Sequence, residues 1–303
     1  MKYSFPIVKR SKLWFLISAL VIIPGVISML IQGFNFGIDF TGGTLMDVKF
    51  AQPVSVAQVR EALQTVNLEQ SMIQLSGTEQ ANQSQSVLIR TRILTENERR
   101  AAVEALMGLG QAEVLRNEHV GATIGSELTR NAVLALLAAS VMMVLYITYR
   151  FEFKFAICGI EALLHDILVV LGFFSIFQIE IDGTFVAALL TIIGYSINDT
   201  IVIFDRIREN LKIQRKEDSL DELVDRSIWQ TMTRSIYTVL TVLFVTLSLY
   251  IFGGESTRNF ALAMLVGIAS GSYSTLFNAS PLWVAWKKFE QRQRLEARMR
   301  GAK

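Results

Sequence analysis

The stretch Thr184–Arg206 sets the terms for the rest of the chain. It is long and apolar enough to cross a bilayer as a helix, yet it carries Asn198 and Asp199 well inside the apolar run. A carboxylate near the centre of a lipid-embedded helix costs about 2.5–3.5 kcal/mol on insertion scales. Such a group needs a partner, a water-filled cavity or a proton. At about 100° per residue, Thr191, Tyr195, Asn198, Asp199 and Val202 share one side of the helix. The expectation is that this side faces protein. Ile192, Ile193, Ile197 and Ile201 are then left to lipid or to other apolar helices. An intramembrane Asp reads as an ion or proton site, and the structural alternative is a buried Asp that only ties helices together.

Span-length apolar runs occur at about 13–31, 131–149, 155–177, 184–204, 236–252 and 260–285. Charged residues make up 18% of the 303, below the ~25% of a soluble domain. The first run follows Lys2, Lys9, Arg10 and Lys12 but lacks a small-residue cleavage pattern, so it reads as an uncleaved helix. The division expected is 1–32 for the N-terminus and first helix, 33–128 for one polar domain, and 129–303 for the remaining helices. Lys and Arg gather in the N-terminal segment, the Arg150–Lys154 turn, the 206–234 loop and a tail running through Lys287, Lys288, Arg292, Arg294, Arg298, Arg300 and Lys303. The loops at 178–183 and 253–258 hold only Arg258. Both termini are therefore expected in the cytoplasm and 33–128 outside it. Leu220, Leu223, Val224 and Ile228 place one or two amphipathic surface helices within the charged 206–234 loop, whose other side chains read as solvated.

The polar segment reads as a small α+β domain. A strand over Thr44–Phe50 is followed by a capping box at Ser55 and Gln58 and a helix with Val56, Val59, Leu63 and Val66 on one face. A short strand over Met72–Leu75 follows. A polar turn from Gly77 to Gln85 leads into a strand over Ser86–Arg92. A second capping box at Thr95 and Glu98 opens a helix to about Met107, ended by Gly108 and Gly110, before a last strand over about Ala112–His119. The order β-α-β-β-α-β is that of ferredoxin-like domains.

The chemistry-bearing residues are few. There is no nucleotide-binding glycine loop. The two histidines, His119 and His165, fall on opposite sides of the expected topology, which argues against a histidine metal site or a Ser-His-Asp hydrolase. The single cysteine, Cys158, allows no intrachain disulfide and reads as a small buried side chain. No enzyme activity, cofactor or nucleic-acid partner is expected. Ionisable groups within the membrane remain. Asp199 leads, and Arg234 at the start of the fifth span reads either as its partner or as an interfacial anchor. Glu161 and His165, one turn apart, can face each other beside Asp166, as a satisfied cluster or as a relay. Asp205 reads as an ion-pair member beside Arg206. In the sixth span Ala263, Gly267 and Gly271 recur every four residues with Ser270, Ser274 and Asn278 nearby, first of all a packing signal. Thr238, Thr241, Val245 and Ser248 line one face of the fifth.

Three strings resemble one family. They are Gly37-Ile-Asp-Phe-Thr-Gly-Gly43 after the first span, Leu164-His-Asp166 in the third, and the run from Gly194-Tyr-Ser-Ile-Asn-Asp199 through Asp205, Arg206 and Asn210 in the fourth. Together with Thr233-Arg-Ser235 they are similar to the SecF branch of the SecD/SecF protein-export family, over essentially the whole chain. The resemblance implies six transmembrane helices in an RND-type half-transporter, paired with six from a SecD-like subunit in the bacterial inner membrane. It implies use of the proton-motive force, with H⁺ or Na⁺ as coupling ion, to promote export. It also implies the SecYEG channel as partner, YajC and YidC as further candidates, and an unfolded polypeptide as cargo. It assigns ion conduction to Asp199 and Arg234, beside which Asn198, His165 and Asp166 are candidates from the residues themselves. Gly37, Asp39, Gly42, Gly43, Gly194, Tyr195, Asp205 and Arg206 enter as motif positions. A non-conducting scaffold and an efflux half-transporter for small hydrophobic molecules remain as alternatives. The Gly37–Gly43 stretch stands open between a coupling element and a plain tight turn.

Overall fold

The structure, a computed structural model, describes residues 5–76, 83–213 and 219–301. Lys2, the turn residues 77–82, Arg215, Lys216, Glu217 and Asp218 of the charged loop, and Lys303 lie outside the described residues. Two compact units are present, one of Met1–Asn35 with Leu134–Lys303 and the other of Phe36–Val133. The divisions fall a few residues beyond the 33 and 128 expected from polarity, because the first turns of the helix after the sheet pack with the sheet unit.

The smaller unit contains α2 (Ile38–Thr41), β1 (Gly43–Ser55), α3 (Val56–Gln64), β2 (Met72–Ser76), β3 (Gln83–Thr91), α4 (Glu96–Met107) and β4 (Ala112–Val120). The sheet order is β2-β3-β1-β4, with β1–β3, β1–β4 and β2–β3 antiparallel. This is the arrangement the β-α-β-β-α-β order leads to. Both capping boxes form. Ser55 Oγ accepts from the Gln58 amide while the Gln58 side chain accepts from Ser55, and Thr95 and Glu98 do the same. Each satisfies donors that a helix start otherwise leaves unpaired. Val59 and Leu63 of α3 and Ala102 and Leu106 of α4 are buried against Met46, Val48 and Ile89. Gly43 has φ +139, and a Cβ there would stand 2.6 Å from the Thr91 carbonyl oxygen, so only glycine lets the chain enter β1 this close to β3.

Among the described residues six helices are long and apolar enough to cross a membrane, Val8–Ile31, Thr123–Arg150, Phe153–Ile176, Gly183–Lys212, Leu220–Phe252 and Thr257–Met299, and all but the first turns of the second belong to the larger unit. Their helical elements are α1 (Ser11–Ile31), α5 (Ala122–Arg150), α6 (Phe153–Ile176), α7 (Gly183–Lys212), α8 (Leu220–Phe252), α9 (Glu255–Ser274) and α10 (Ser280–Gly301). The apolar runs mark where these helices cross but understate their length. Residues 206–212 and 220–234 continue α7 and α8 instead of forming separate surface helices. The reason is burial. Leu223, Val224 and Ile228 join Val8, Ile207 and Trp283 in one apolar cluster, and Asp225 Oδ1 accepts from the Val8 amide at 2.9 Å.

The last span is interrupted by a π-helical turn, Thr275–Ala279, between α9 and α10. Pro281 has no N–H to give the Phe277 carbonyl, so an ordinary α turn cannot run through this point. The wider turn brings both Thr275 and Asn278 inside the bundle. Close approach elsewhere depends on small residues. A Cβ on Gly172 of α6 would lie 2.8 Å from the Cα of Gly25 in α1, and one on Gly267 of α9 would lie 2.3 Å from Ile192 Cδ1 in α7.

Two outcomes follow. Gly172→Leu forces backbone against backbone and lowers the stability of the bundle by roughly 1–3 kcal/mol or more, read as the unfolding midpoint in detergent. In the sheet unit, hydrogen bonds from Arg92 and from Thr95 hold the Glu98 carboxyl down at about 2. The contribution of this carboxylate is therefore present above the ordinary glutamate range and is lost as pH falls toward about 2. Glu98→Gln removes that acid-dependent step, so hydrogen-exchange protection at the start of α4 becomes less sensitive to acid than in the parent chain.

Candidate functional site

Two aspartates sit in membrane-spanning helices of the larger unit, in opposite circumstances. Asp166 of α6 is 1% exposed. Its Oδ1 accepts from Ser270 Oγ at 2.8 Å and lies 3.1 Å from His165 Nδ1. Its Oδ2 accepts from Ser196 Oγ at 2.7 Å and Ser274 Oγ at 3.0 Å. Helices α6, α7 and α9 thus meet on one carboxylate whose lone pairs are filled. His165 Nε2 lies 3.1 Å from Ser18 Oγ, which connects α1 to the same cluster. Glu161 does not face His165 as its spacing suggests. The imidazole turns to Asp166 and Ser18, and the buried Glu161 Oε2 has no hydrogen-bond partner.

Asp199 of α7 is only half satisfied. Its Oδ1 accepts from Ser235 Oγ of α8 at 2.7 Å, and its buried Oδ2 has no hydrogen-bond partner. Arg234 is exposed, and among the described residues it makes no ion pair or hydrogen bond through its guanidinium; it acts on Asp199 through space alone. The expected direct pair is therefore absent, because Ser235, the next residue, holds the inward position. Arg234 instead borders a cleft of about 420 Å³, lined by Tyr146, Arg150, Asp205, Arg206 and Gln230 among others. Asp205 pairs with Arg208 at 2.7 Å, not with Arg206, which pairs with Glu209 at 2.9 Å. Both are pairs at helical i,i+3 spacing, which an adjacent residue cannot match.

On α7 the polar side does not face the rest of the bundle as expected, and three of the isoleucines take the second of their two expected places, against other helices. Ile192, Ile193 and Ile197 are buried within the bundle, together with Ser196 and Thr200, and Thr191 and Asn198 are exposed. On α8 the expected row Thr238, Thr241, Val245 and Ser248 is exposed as well. The hydroxyls of Thr191, Thr238, Thr241 and Ser248 bond to carbonyls of their own helices, and lipid can border them without loss. Four other groups beside them are different. The Tyr195 hydroxyl, the Asn198 amide, Asp199 Oδ2 and the Arg234 guanidinium have no hydrogen-bond partner among the described residues. Gly194 lies beside them, and a Cβ built there would meet nothing within 4 Å. The bundle gives no packing reason for that glycine.

Sequence reasoning thus grouped His165 and Asp166 with Asp199, and the structure separates them into an interior cluster and an outward face. It missed Ser18, Ser196 and Ser235. Each bonds to a residue of another helix, which no local pattern marks.

The C-terminal model of the SecD/SecF protein export membrane proteins matches residues 101–289, and the SecD/SecF GG motif matches residues 27–54. A protein translocase subunit SecF from Acidaminococcus fermentans is 52% identical over 287 residues, covering 94% of this chain and 98% of that protein. The chain belongs to the SecF family. With its six span-length helices it is a multi-pass protein of the bacterial inner membrane. A SecDF from Bacillus subtilis is 39% identical over 280 residues, covering 92% of this chain but 37% of that longer one. The crystal structure of SecDF, a translocon-associated membrane protein from Thermus thermophilus, superposes with a TM-score of 0.84 at 37% identity, over 94% of this chain and 39% of that one. Its SecF-like portion thus carries the same fold. The GG motif ends in β1 and contains Gly37, Asp39, Gly42 and Gly43, with φ +71 at Gly42 and +139 at Gly43.

Proposed function

We propose that this chain works with a SecD-like subunit to promote polypeptide export, taking energy from an ion gradient at Asp199. The unfilled row Tyr195–Asn198–Asp199–Arg234 carries this reading. Lipid offers no hydrogen bonds, so these groups call for a polar neighbour, and a second six-helix half laid against α7 and α8 supplies one. Gly194 would let its backbone come close. The full-length SecDF relatives, in which SecD-like and SecF-like sequences are one protein, support such pairing.

The chemistry follows from half-satisfaction. An ionised Asp199 keeps the Ser235 hydrogen bond on one oxygen and attracts Arg234 to the other. A gradient ion, H⁺ or Na⁺, arriving at the free oxygen cancels that attraction. Arg234 then relaxes toward its cleft, and α7 and α8, which carry the two residues, change their fit to the partner. One elementary charge crossing 100 mV releases about 2.3 kcal/mol, which is the scale of a single such rearrangement. The basic clusters support an orientation with both termini in the cytoplasm. The sheet unit then lies outside, next to where an exported chain emerges from a SecYEG-type channel. YajC and YidC stand as further candidate neighbours.

In membrane vesicles holding this chain, its sister subunit and the channel, Asp199→Asn removes the gradient-stimulated part of export and leaves the gradient-independent part unchanged. Arg234→Ala removes most of the same part, and Arg234→Lys retains some of it. Full stimulation in Asp199→Asn would assign the chain a scaffold role.

A further inference from the structure

The interior cluster has a property that the outward carboxylate lacks, in that its hydrogen bonds close in two different ways. Consider first a neutral imidazole. His165 Nδ1–H donates to Asp166 Oδ1 at 3.1 Å, which leaves Nε2 as an acceptor. Ser18 Oγ–H donates to that nitrogen at 3.1 Å, and the Asn278 amide nitrogen donates to Ser18 Oγ at 2.8 Å. Of these groups only Asn278 Oδ1 is then left without a donor among the described residues.

Now add a proton to the Nε2 lone pair. The new N–H donates to Ser18 Oγ across the same 3.1 Å, and the serine proton must turn elsewhere. Asn278 Oδ1 lies 3.2 Å from Ser18 Oγ and accepts it. No heavy atom has to move. One hydroxyl rotates, and the ring gains a charge opposite Asp166. Ser196, Ser270 and Ser274 all donate to the carboxylate whatever the ring does.

The surroundings suit a single mobile charge. From α1 come Ser18 and the Trp14 carbonyl, which accepts from the Tyr273 hydroxyl at 2.7 Å. From α9, the Tyr273 ring stacks on His165 with centroids 5.9 Å apart, and Ser270 Oγ lies 3.4 Å from Nδ1. Helix α7 contributes Ser196, and the π-helical turn contributes Asn278. Glu161, one turn earlier on α6, is a further ionisable side chain near the pair. No lysine or arginine bonds to the cluster among the described residues.

We propose that His165 is a second proton-holding site of this chain. Asp166 is its fixed counter-charge, and Ser18–Asn278 is the pair that rearranges to take the proton. The inference rests on the gradient reading above, with H⁺ as the ion, and extends it to the tie between α1 and the π-helical turn. The proton arrives from the gradient and leaves to water, and no bond between heavy atoms is made or broken. Helix α1, which carries the rearranging serine, leads in sequence to the Gly37–Gly43 motif.

The chain has two histidines, and His119→Gln leaves His165 alone. The full chain with its sister subunit, labelled with ring-¹⁵N histidine in lipid nanodiscs, is titrated from about pH 9 to about pH 5, the range in which histidines change charge. The expected result is a reversible one-proton step, from a ring protonated at Nδ1 alone to one protonated at both nitrogens. In Asn278→Leu the midpoint falls by about one pH unit, because a hydrogen bond to a charged group is worth more than one to a neutral group. A ring that keeps one protonation state throughout overturns the proposal. So does a midpoint that Asn278→Leu and Ser18→Ala both leave in place. The titration needs no gradient or export. A titrating His165 beside a fully stimulated Asp199→Asn therefore refutes the gradient reading alone, and a silent His165 beside an inactive Asp199→Asn refutes this inference alone.

Discussion

A carboxylate buried in a membrane helix must find donors, and this chain answers the requirement twice in different ways. Asp166 is surrounded by three serines and a histidine from within the bundle, and these bonds tie helices together. Asp199 receives one serine and keeps one oxygen open. Charge that is fully compensated holds structure, and charge that is half compensated can respond to an arriving ion. The difference comes from orientation. Residues 196 and 199 lie less than one turn apart, yet Ser196 points into the bundle at Asp166 while Asp199 lies at its rim beside Arg234.

The packing explains why this arrangement is stable in a chain that is polar at its centre. Glycines at 25 and 172 let α1 and α6 touch backbone to backbone, and Gly267 admits Ile192. These contacts hold the serines within hydrogen-bond range of Asp166. The π-helical turn before Pro281 contributes in the same way. It brings Thr275 to 3.0 Å from Thr200 on α7 and Asn278 to Ser18 on α1, so a helix that runs the width of the membrane serves two neighbours at one level. The sheet unit is stabilised differently, by a separate apolar core and two capping boxes.

Much of this was legible from residue order. The capping residues Ser55–Gln58 and Thr95–Glu98 marked both helix starts of the sheet unit because they act locally, and alternating strands with glycine stops supplied the topology. Asp199 stood out because an acid among isoleucines has so few explanations. The rest needed three dimensions. Helical periodicity shows which residues share a face but not which face turns inward, so the isoleucines of α7 were left to lipid or to other helices, and Ile192, Ile193 and Ile197 lie against other helices. The Arg234–Asp199 pair was plausible by reach, but the neighbouring serine holds the inward position. The cluster at Asp166 combines side chains from residues 18 to 278, and no local pattern announces contacts across such a separation. Pro281 hinted at a break in the last span, which apolar run length alone read as continuous.

On the proposed reading, a partner sits on the open face of α7 and α8 and keeps the responsive carboxylate from lipid. This placement is tested most directly by a spin label at Asn198→Cys in a Cys158→Ser background, reconstituted with and without the sister subunit. Lipid-dissolved oxygen should reach the label in the chain alone and be largely excluded in the pair. Equal oxygen access in both samples would contradict the account, because Asp199 would then have no neighbour to report to.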